Sequence, residues 1–221
     1  MLFKAVLFDL DGTLLYTLKD VADAMNKALV HFGYPPHPVD AYKYFIGESV
    51  ETEAHRALPE SARDPAFIKK LAVYSEEIYD KCWGDNTHPY DGIPELLTEL
   101  QRRGLSLVIL SNKNDRFTKV MVKKILPQWR FEIVQGAIPD APLKPDPTLA
   151  LQIAKKLRIP PEQFLYLGDT NTDMQTAVSS GMFPVGCVWG YRTPDELLQA
   201  GAKVLINTPA EMLDILDKRR K

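Results

Sequence analysis

The chain has 221 residues, 45% of them apolar, with two cysteines and a formal net charge of -2. This is the composition of an ordinary folded protein, long enough for one sizeable core or a core with a small second unit. Without a basic excess to neutralise phosphates it is not a general nucleic-acid binder, and no apolar run approaches the roughly 18 residues of a membrane-spanning helix.

Two cysteines make neither a disulfide framework nor a thiolate zinc set. Met1-Leu2-Phe3-Lys4 runs straight into the first strand with no room for a cleavable leader, so a reducing, cytoplasmic setting is expected. The basic cluster Lys218, Arg219, Arg220 and Lys221 reads as a solvated tail. The four histidines lack metal-ligand spacing and read as surface or packing residues.

In chain order, Ala5 to Phe8 is an apolar run that stops at Asp9, Asp11, Gly12 and Thr13, as a buried parallel strand does. Leu18, Val21, Ala22, Met25, Ala28, Leu29 and Phe32 then recur at helical spacing. Thr17 and Asp20 resemble a capping box at the start of this helix, and Gly33, Pro35 and Pro36 end it. Shorter helical patterns cover Val39–Phe45 and Glu48–Leu58, and a longer one runs from Ala66 to Trp83. This stretch contains no convincing strand.

From Tyr90 strands and helices alternate. A helix opened by Pro94 ends at Gly104. Leu105–Leu110 is a strand stopped by Ser111 and Asn112, and a helix follows over Asp115–Leu126. After the strand Phe131–Val134, Asp146 caps a helix reaching Leu157. The strand Phe164–Leu167 leads through Gly168-Asp169 into a helix ending at Ser180. Pro184–Val188 and Lys203–Ile206 are further strands, and a helix from Pro209 closes the chain. Such alternation predicts βαβ units. The expected fold is α/β, a Rossmann-like parallel sheet with helices on both faces plus an inserted all-helical cap domain. The core would take residues 1–15 and 86–221, and the cap residues 16–85.

Ligand crevices in open parallel sheets lie outside the carboxyl ends of the strands. Four junctions there offer Asp9 with Asp11, Ser111 with Asn112, Lys144, and Asp169 with Asp173. Four crowded aspartates cannot all stay ionised without a cation, and one lysine is insufficient. Mg²⁺ suits such a site, being held by one or two carboxylates, waters and a substrate phosphate. The lysine and the hydroxyl then face an anion, which favours phosphoryl transfer. One motif aspartate can attack phosphorus to form an aspartyl-phosphate, while the other protonates the leaving oxygen and later deprotonates water. Gly12 allows the turn to aim peptide N–H groups at the phosphoryl oxygens. Lys43, Arg56 and Arg116 read as surface charges, and Trp83, Trp129 and Trp189 as residues that pack or sit at the cap–core seam.

Asp9-Leu10-Asp11-Gly12-Thr13, Ser111, Lys144 before Pro-Asp-Pro, and Gly168-Asp169 with Asp173 resemble, in order, the four motifs of the haloacid dehalogenase-like hydrolase superfamily. The helical insertion resembles its C1 cap. Asp-Gly-Thr-Leu, Gly47 and Tyr90-Asp91-Gly92-Ile93-Pro94 are similar to the phosphoglycolate phosphatase-like branch. The resemblance implies that Asp9 is nucleophile and metal ligand. Asp11 would be the general acid/base and bind Mg²⁺ through its carbonyl, and Asp169 would complete the direct ligands. It places Asp173 behind them, holding Lys144 or a metal-bound water. Ser111 and the catalytic Lys144 would bind the phosphoryl group, with Gly12, Thr13 and Asn112 lining it. Asp11 argues against dehalogenase activity, and Thr13 leans away from the β-phosphoglucomutase-like branch. Gly47, Glu48 and Ser49 would form the cap specificity loop. Two departures bear on the substrate. Tyr16-Thr17 stands where many relatives have Asp-Ser, and Ser49 where phosphoglycolate phosphatases often have glycine.

The expected activity is Mg²⁺-dependent hydrolysis of a small phosphorylated, phosphoglycolate-like metabolite, with neither nucleic acid nor membrane as partner. A sugar phosphomutase or a pyrophosphatase is the alternative on the same core. A non-catalytic phospholigand-binding module is disfavoured because every catalytic position is filled. Neither the ester nor the oligomeric state is legible.

Overall fold

The structure, a computed structural model, describes residues 3–218. Met1, Leu2 and the last three residues of the basic cluster lie outside the described residues. Contacts divide the chain into two compact units, one running to Leu15 and resuming at Pro89, the other Tyr16–His88.

The first unit is built on a parallel sheet. Its strands are β1 (Ala5–Phe8), β4 (Ser106–Asn114), β5 (Ile133–Ala137), β6 (Phe164–Gly168), β7 (Phe183–Cys187) and β8 (Val204–Ile206), in the spatial order β5-β4-β1-β6-β7-β8. All neighbours pair parallel, and Phe8 is level with both Ile109 and Leu167. Strands covered on both faces need apolar residues at odd and even positions alike. Ala5, Leu7, Val108, Leu110, Phe164 and Tyr166 share one buried cluster with Ala150, Ile153, Ala154, Ala177 and Met182. Val6, Phe8, Leu107, Ile109, Leu165 and Leu167, on the other face, are equally buried. The helices of this unit are α5 (Ile93–Arg102), α6 (Asp115–Ile125), α7 (Thr148–Leu157), α8 (Asn171–Ser180), α9 (Pro194–Gln199) and α10 (Glu211–Lys218).

Two local features depart from the sequence reading. Ser111 and Asn112 do not end the second core strand. β4 continues to Asn114, with its pairing to β5 shifted between Leu110 and Asn114, so these two residues sit in a strand irregularity. Helix α9 was not anticipated, although Thr193 and Glu196 form a capping box with Pro194 in the first turn.

The second unit contains α1 (Leu18–His31), α2 (Tyr42–Phe45), α3 (Val50–Ala57) and α4 (Pro65–Cys82). The short strands β2 (Leu15–Tyr16) and β3 (His88–Pro89) form a separate two-stranded sheet. The capping box expected at Thr17 and Asp20 does not form, since Thr17 makes no side-chain cap hydrogen bond. Asp20 is instead buried and accepts from Asn86 N and Nδ2 and from Thr87 N and Oγ1 at 2.7–3.0 Å. Several charge-assisted bonds outweigh the single bond a cap would provide. No described helix is long and apolar enough to cross a membrane.

Candidate active site

Asp9 follows directly on β1, and its N–H donates to Leu167 O at 3.0 Å, continuing the ladder with β6. Asp169 follows directly on β6. Lys144 lies in the stretch 138–147 between β5 and α7, which contains no helix or strand. These three side chains and Ser111, Asn112 and Asp173 are all buried, and the fold gathers them at the carboxyl end of the sheet.

Lys144 ties the group together. Its Nζ lies 2.7 Å from Asp173 Oδ1 and 2.9 Å from Asp9 Oδ1. Burial works against the ammonium, yet the Asp173 and Asp9 carboxylates outweigh it and hold its pKa well above the ordinary lysine value. The same burial, reinforced by Asp173 and opposed by Lys144, pushes Asp9 up to about 7. Burial, Asp9 and Asp173 likewise push Asp169 well above the carboxylate range, against hydrogen bonds from Thr13 and Tyr191. The site therefore holds more negative charge than one lysine stabilises.

The acceptor capacity left over suits a hard cation. Each carboxylate oxygen can accept about two hydrogen bonds. Asp173 is the most heavily engaged. Its Oδ1 accepts from Lys144 and Tyr166 OH, and its Oδ2 from Thr170 N and Oγ1. Asp169 takes one donor on each oxygen, Thr13 Oγ1 at 2.7 Å and Tyr191 N at 2.9 Å. Asp9 Oδ1 is buried and, despite the nearby ammonium, has no bond of hydrogen-bonding geometry among the described residues. Asp9, Asp169 and Asp173 each offer an oxygen within 4.8 Å of the others. An all-oxygen set of this kind fits Mg²⁺, with the open capacity on Asp9 and Asp169.

Three glycines make room for these carboxylates. A Cβ on Gly12, where φ is +80°, would lie 2.3 Å from Asp169 Oδ2. One on Gly168 would lie 2.3 Å from the Cβ of Asp173, and one on Gly190 would lie 2.2 Å from the Cβ of Asp169. The Gly12 N–H donates to Leu15 O at 2.9 Å, within the turn. Thr13 is fully buried, and its carbonyl accepts from Trp189 Nε1 at 3.0 Å.

The sequence reading did not single out Lys113, Gly190 or Tyr191. Lys113 Nζ lies 3.2 Å from Asp11 Oδ2, a part-buried partner for that carboxylate. Its signal was adjacency to Ser111 and Asn112 alone. Thr170 and Asp173 form a capping box that starts α8, a pattern of residue types visible in the sequence itself. Gly47, Glu48 and Ser49 belong to the other unit. There Ser49 caps α3 by accepting from Thr52 N at 3.1 Å, and Glu48 pairs with Arg56.

A parallel α/β sheet with a buried aspartate–lysine cluster at its carboxyl end defines the class, and the comparisons agree. Residues 6–187 match the haloacid dehalogenase-like hydrolase family, and the chain belongs to it. The phosphoglycolate phosphatase of Chromobacterium violaceum is 28% identical over 217 residues, 96% of each chain. The N-acetylmuramic acid 6-phosphate phosphatase of Pseudomonas aeruginosa is 29% identical, covering 99% of this chain and 96% of that one. A solved structure from Lactobacillus delbrueckii subsp. bulgaricus superposes with a TM-score of 0.91 at 26% identity, over 98% of this chain and 99% of the other.

Proposed function

We propose that the protein is a Mg²⁺-dependent phosphatase that hydrolyses a small phosphorylated metabolite through an aspartyl-phosphate on Asp9. The observation that carries this reading is the Lys144 ammonium set 2.9 Å from Asp9 and 2.7 Å from Asp173, beside Asp169. The phosphatases of Chromobacterium violaceum and Pseudomonas aeruginosa, similar along nearly their whole length, support the reaction class.

Asp9 attacks phosphorus with a carboxylate oxygen, and the ester oxygen leaves with a proton from Asp11. Water then cleaves the acyl phosphate, returning its proton to Asp11 and releasing phosphate. Lys144 and Ser111 hold the phosphoryl oxygens, with the Gly12-Thr13 turn and the main chain of Asn112 lining that position. Asp9, Asp169 and the Asp11 carbonyl would hold Mg²⁺, which supplies charge neutralisation and polarises the phosphoryl group. Asp173 keeps Lys144 in place. The helical unit Tyr16–His88, with Gly47, Glu48 and Ser49 in one loop, serves as the cap that selects the substrate.

The test is phosphate release with Mg²⁺ across 2-phosphoglycolate, N-acetylmuramic acid 6-phosphate, sugar phosphates, nucleotides and pyrophosphate, reported as kcat/KM. Turnover of at least one small ester, lost in Asp9→Asn without loss of fold, is the expected result. Isomerisation of a sugar phosphate without phosphate release would indicate a mutase, and near wild-type activity in Asp9→Asn would sink the mechanism.

A further inference from the structure

We propose that Asn112 is a positioning residue for Lys144, acting through its side-chain carboxamide on the lysine's main chain. Lys144 N donates to Asn112 Oδ1 at 2.8 Å, and Asn112 Nδ2 donates to Lys144 O at 3.0 Å. Both residues are buried. A carboxamide carries an acceptor and a donor side by side, so the pair reproduces the two bonds by which one strand residue grips another. Lys144 needs such a grip because residues 138–147 contain no helix or strand to hold it. Asn112 can provide it because it extends from β4, where the pairing with β5 is irregular.

Function enters through the lysine's length. Its ammonium stands at the end of a flexible four-carbon stem, so the position of the lysine Cα limits which approaches to Asp9, 2.9 Å in this structure, the ammonium can make. Neither aspartate, serine nor alanine can replace the grip. Aspartate lacks the donor, serine is too short to reach both main-chain groups, and alanine supplies neither bond. This inference rests on the phosphatase reading of Lys144, and it predicts that the effect of Asn112 on turnover passes through that residue.

A double-mutant cycle on the full chain tests it, with p-nitrophenyl phosphate and Mg²⁺ as the assay. Asn112→Ala is expected to lower kcat by about 100-fold, as a misplaced catalytic group does. In a Lys144→Met background the same change should alter kcat by less than about 2-fold, because coupled residues are not additive. Equal losses in the two backgrounds would overturn the proposal. Should Asn112→Ala not fold, Asn112→Ser enters the same cycle. Should Lys144→Met not fold, amide exchange of Asn112→Ala decides, with lost protection confined to the Lys144 segment supporting the proposal and loss spread along β4 rejecting it.

Binding of inorganic phosphate, measured by calorimetry in the same proteins, reads the coupling without turnover. Asn112→Ala should weaken it only where Lys144 is present. Wild-type protein that binds phosphate but hydrolyses no phosphomonoester would remove the phosphatase reading and leave the coupling to be judged from these titrations. Wild-type protein that binds no phosphate would overturn both.

Discussion

Gly190 and Asp169 are in contact so close that a Cβ on the glycine would lie 2.2 Å from the Cβ of the aspartate. The clash is with the root of the side chain, which no rotamer change relieves. Gly190→Ala must therefore move the main chain or Asp169 itself. The expected cost is about 1–3 kcal/mol of stability in urea unfolding, typical of overpacking, together with loss of Mg²⁺-dependent turnover. Gly84, with nothing within 4 Å of its Cβ position, provides the control. Gly84→Ala should change neither quantity, and equal behaviour of the two variants would reject the packing argument.

Stability of the metal-free protein should fall as pH rises. Burial and Asp173 raise Asp9 from 3.8 to about 7, so the folded state binds that proton more tightly than the unfolded chain. Below the unfolded value both states are protonated and no penalty exists. Between the two values stability declines, by about 1.4 kcal/mol per pH unit for each such group, and above the folded value the penalty is constant. Asp169 is shifted in the same direction. Mg²⁺ should accordingly raise the Tm more at pH 8 than at pH 5. A Mg²⁺ effect independent of pH would contradict the placement of the cation among these carboxylates.

Asp11 is assigned the two proton transfers, and Lys113 lies 3.2 Å from its carboxylate. Its replacement by Asn should then separate the half-reactions when the leaving group needs no acid. With p-nitrophenyl phosphate, Asp11→Asn is expected to give a burst of p-nitrophenolate followed by slow turnover, with phosphate covalently trapped on Asp9. Rapid-quench kinetics with mass spectrometry of the modified peptide would show this. Slow turnover with neither burst nor adduct would count against Asp11 as the base in the second step.

Asp20 acts within the helical unit, and its removal should be felt as lost stability. Asp20→Ala leaves the Asn86 and Thr87 donors without their charged acceptor. Hydrogen bonds to charged groups contribute about 1.5–3 kcal/mol each, so a loss of roughly that size or more is expected in chemical unfolding. Limited proteolysis should find new cleavage near residues 84–88. A variant as stable and as resistant as wild type would show that the clamp is dispensable.

The fold class was legible because its signals are local. An apolar run ending in Asp9, or Phe164–Leu167 ending in Gly168-Asp169, declares a buried strand and its crevice end within a few residues. Element ends were less legible where a turn-forming pair had another use. Ser111 and Asn112 read as a strand terminus, yet they sit where the pairing of β4 with β5 is irregular, and the asparagine grips Lys144, 32 positions away. Thr17 and Asp20 read as a cap for the same reason, and Asp20 holds residues 66 and 67 positions on.

By itself the sequence determined which chemistry the chain possesses, namely carboxylates, a lysine and a hydroxyl in or near the strand-to-helix segments of a parallel α/β sheet. Only the tertiary structure decided how those groups meet. It set Lys144 between Asp9 and Asp173, gave Asp11 its partner Lys113, and placed Gly190 against Asp169. Periodicity and turn chemistry act between neighbours in the chain. Approaches of 2–3 Å between residues far apart in it depend on strand order and register, which spacing along a single sequence does not carry.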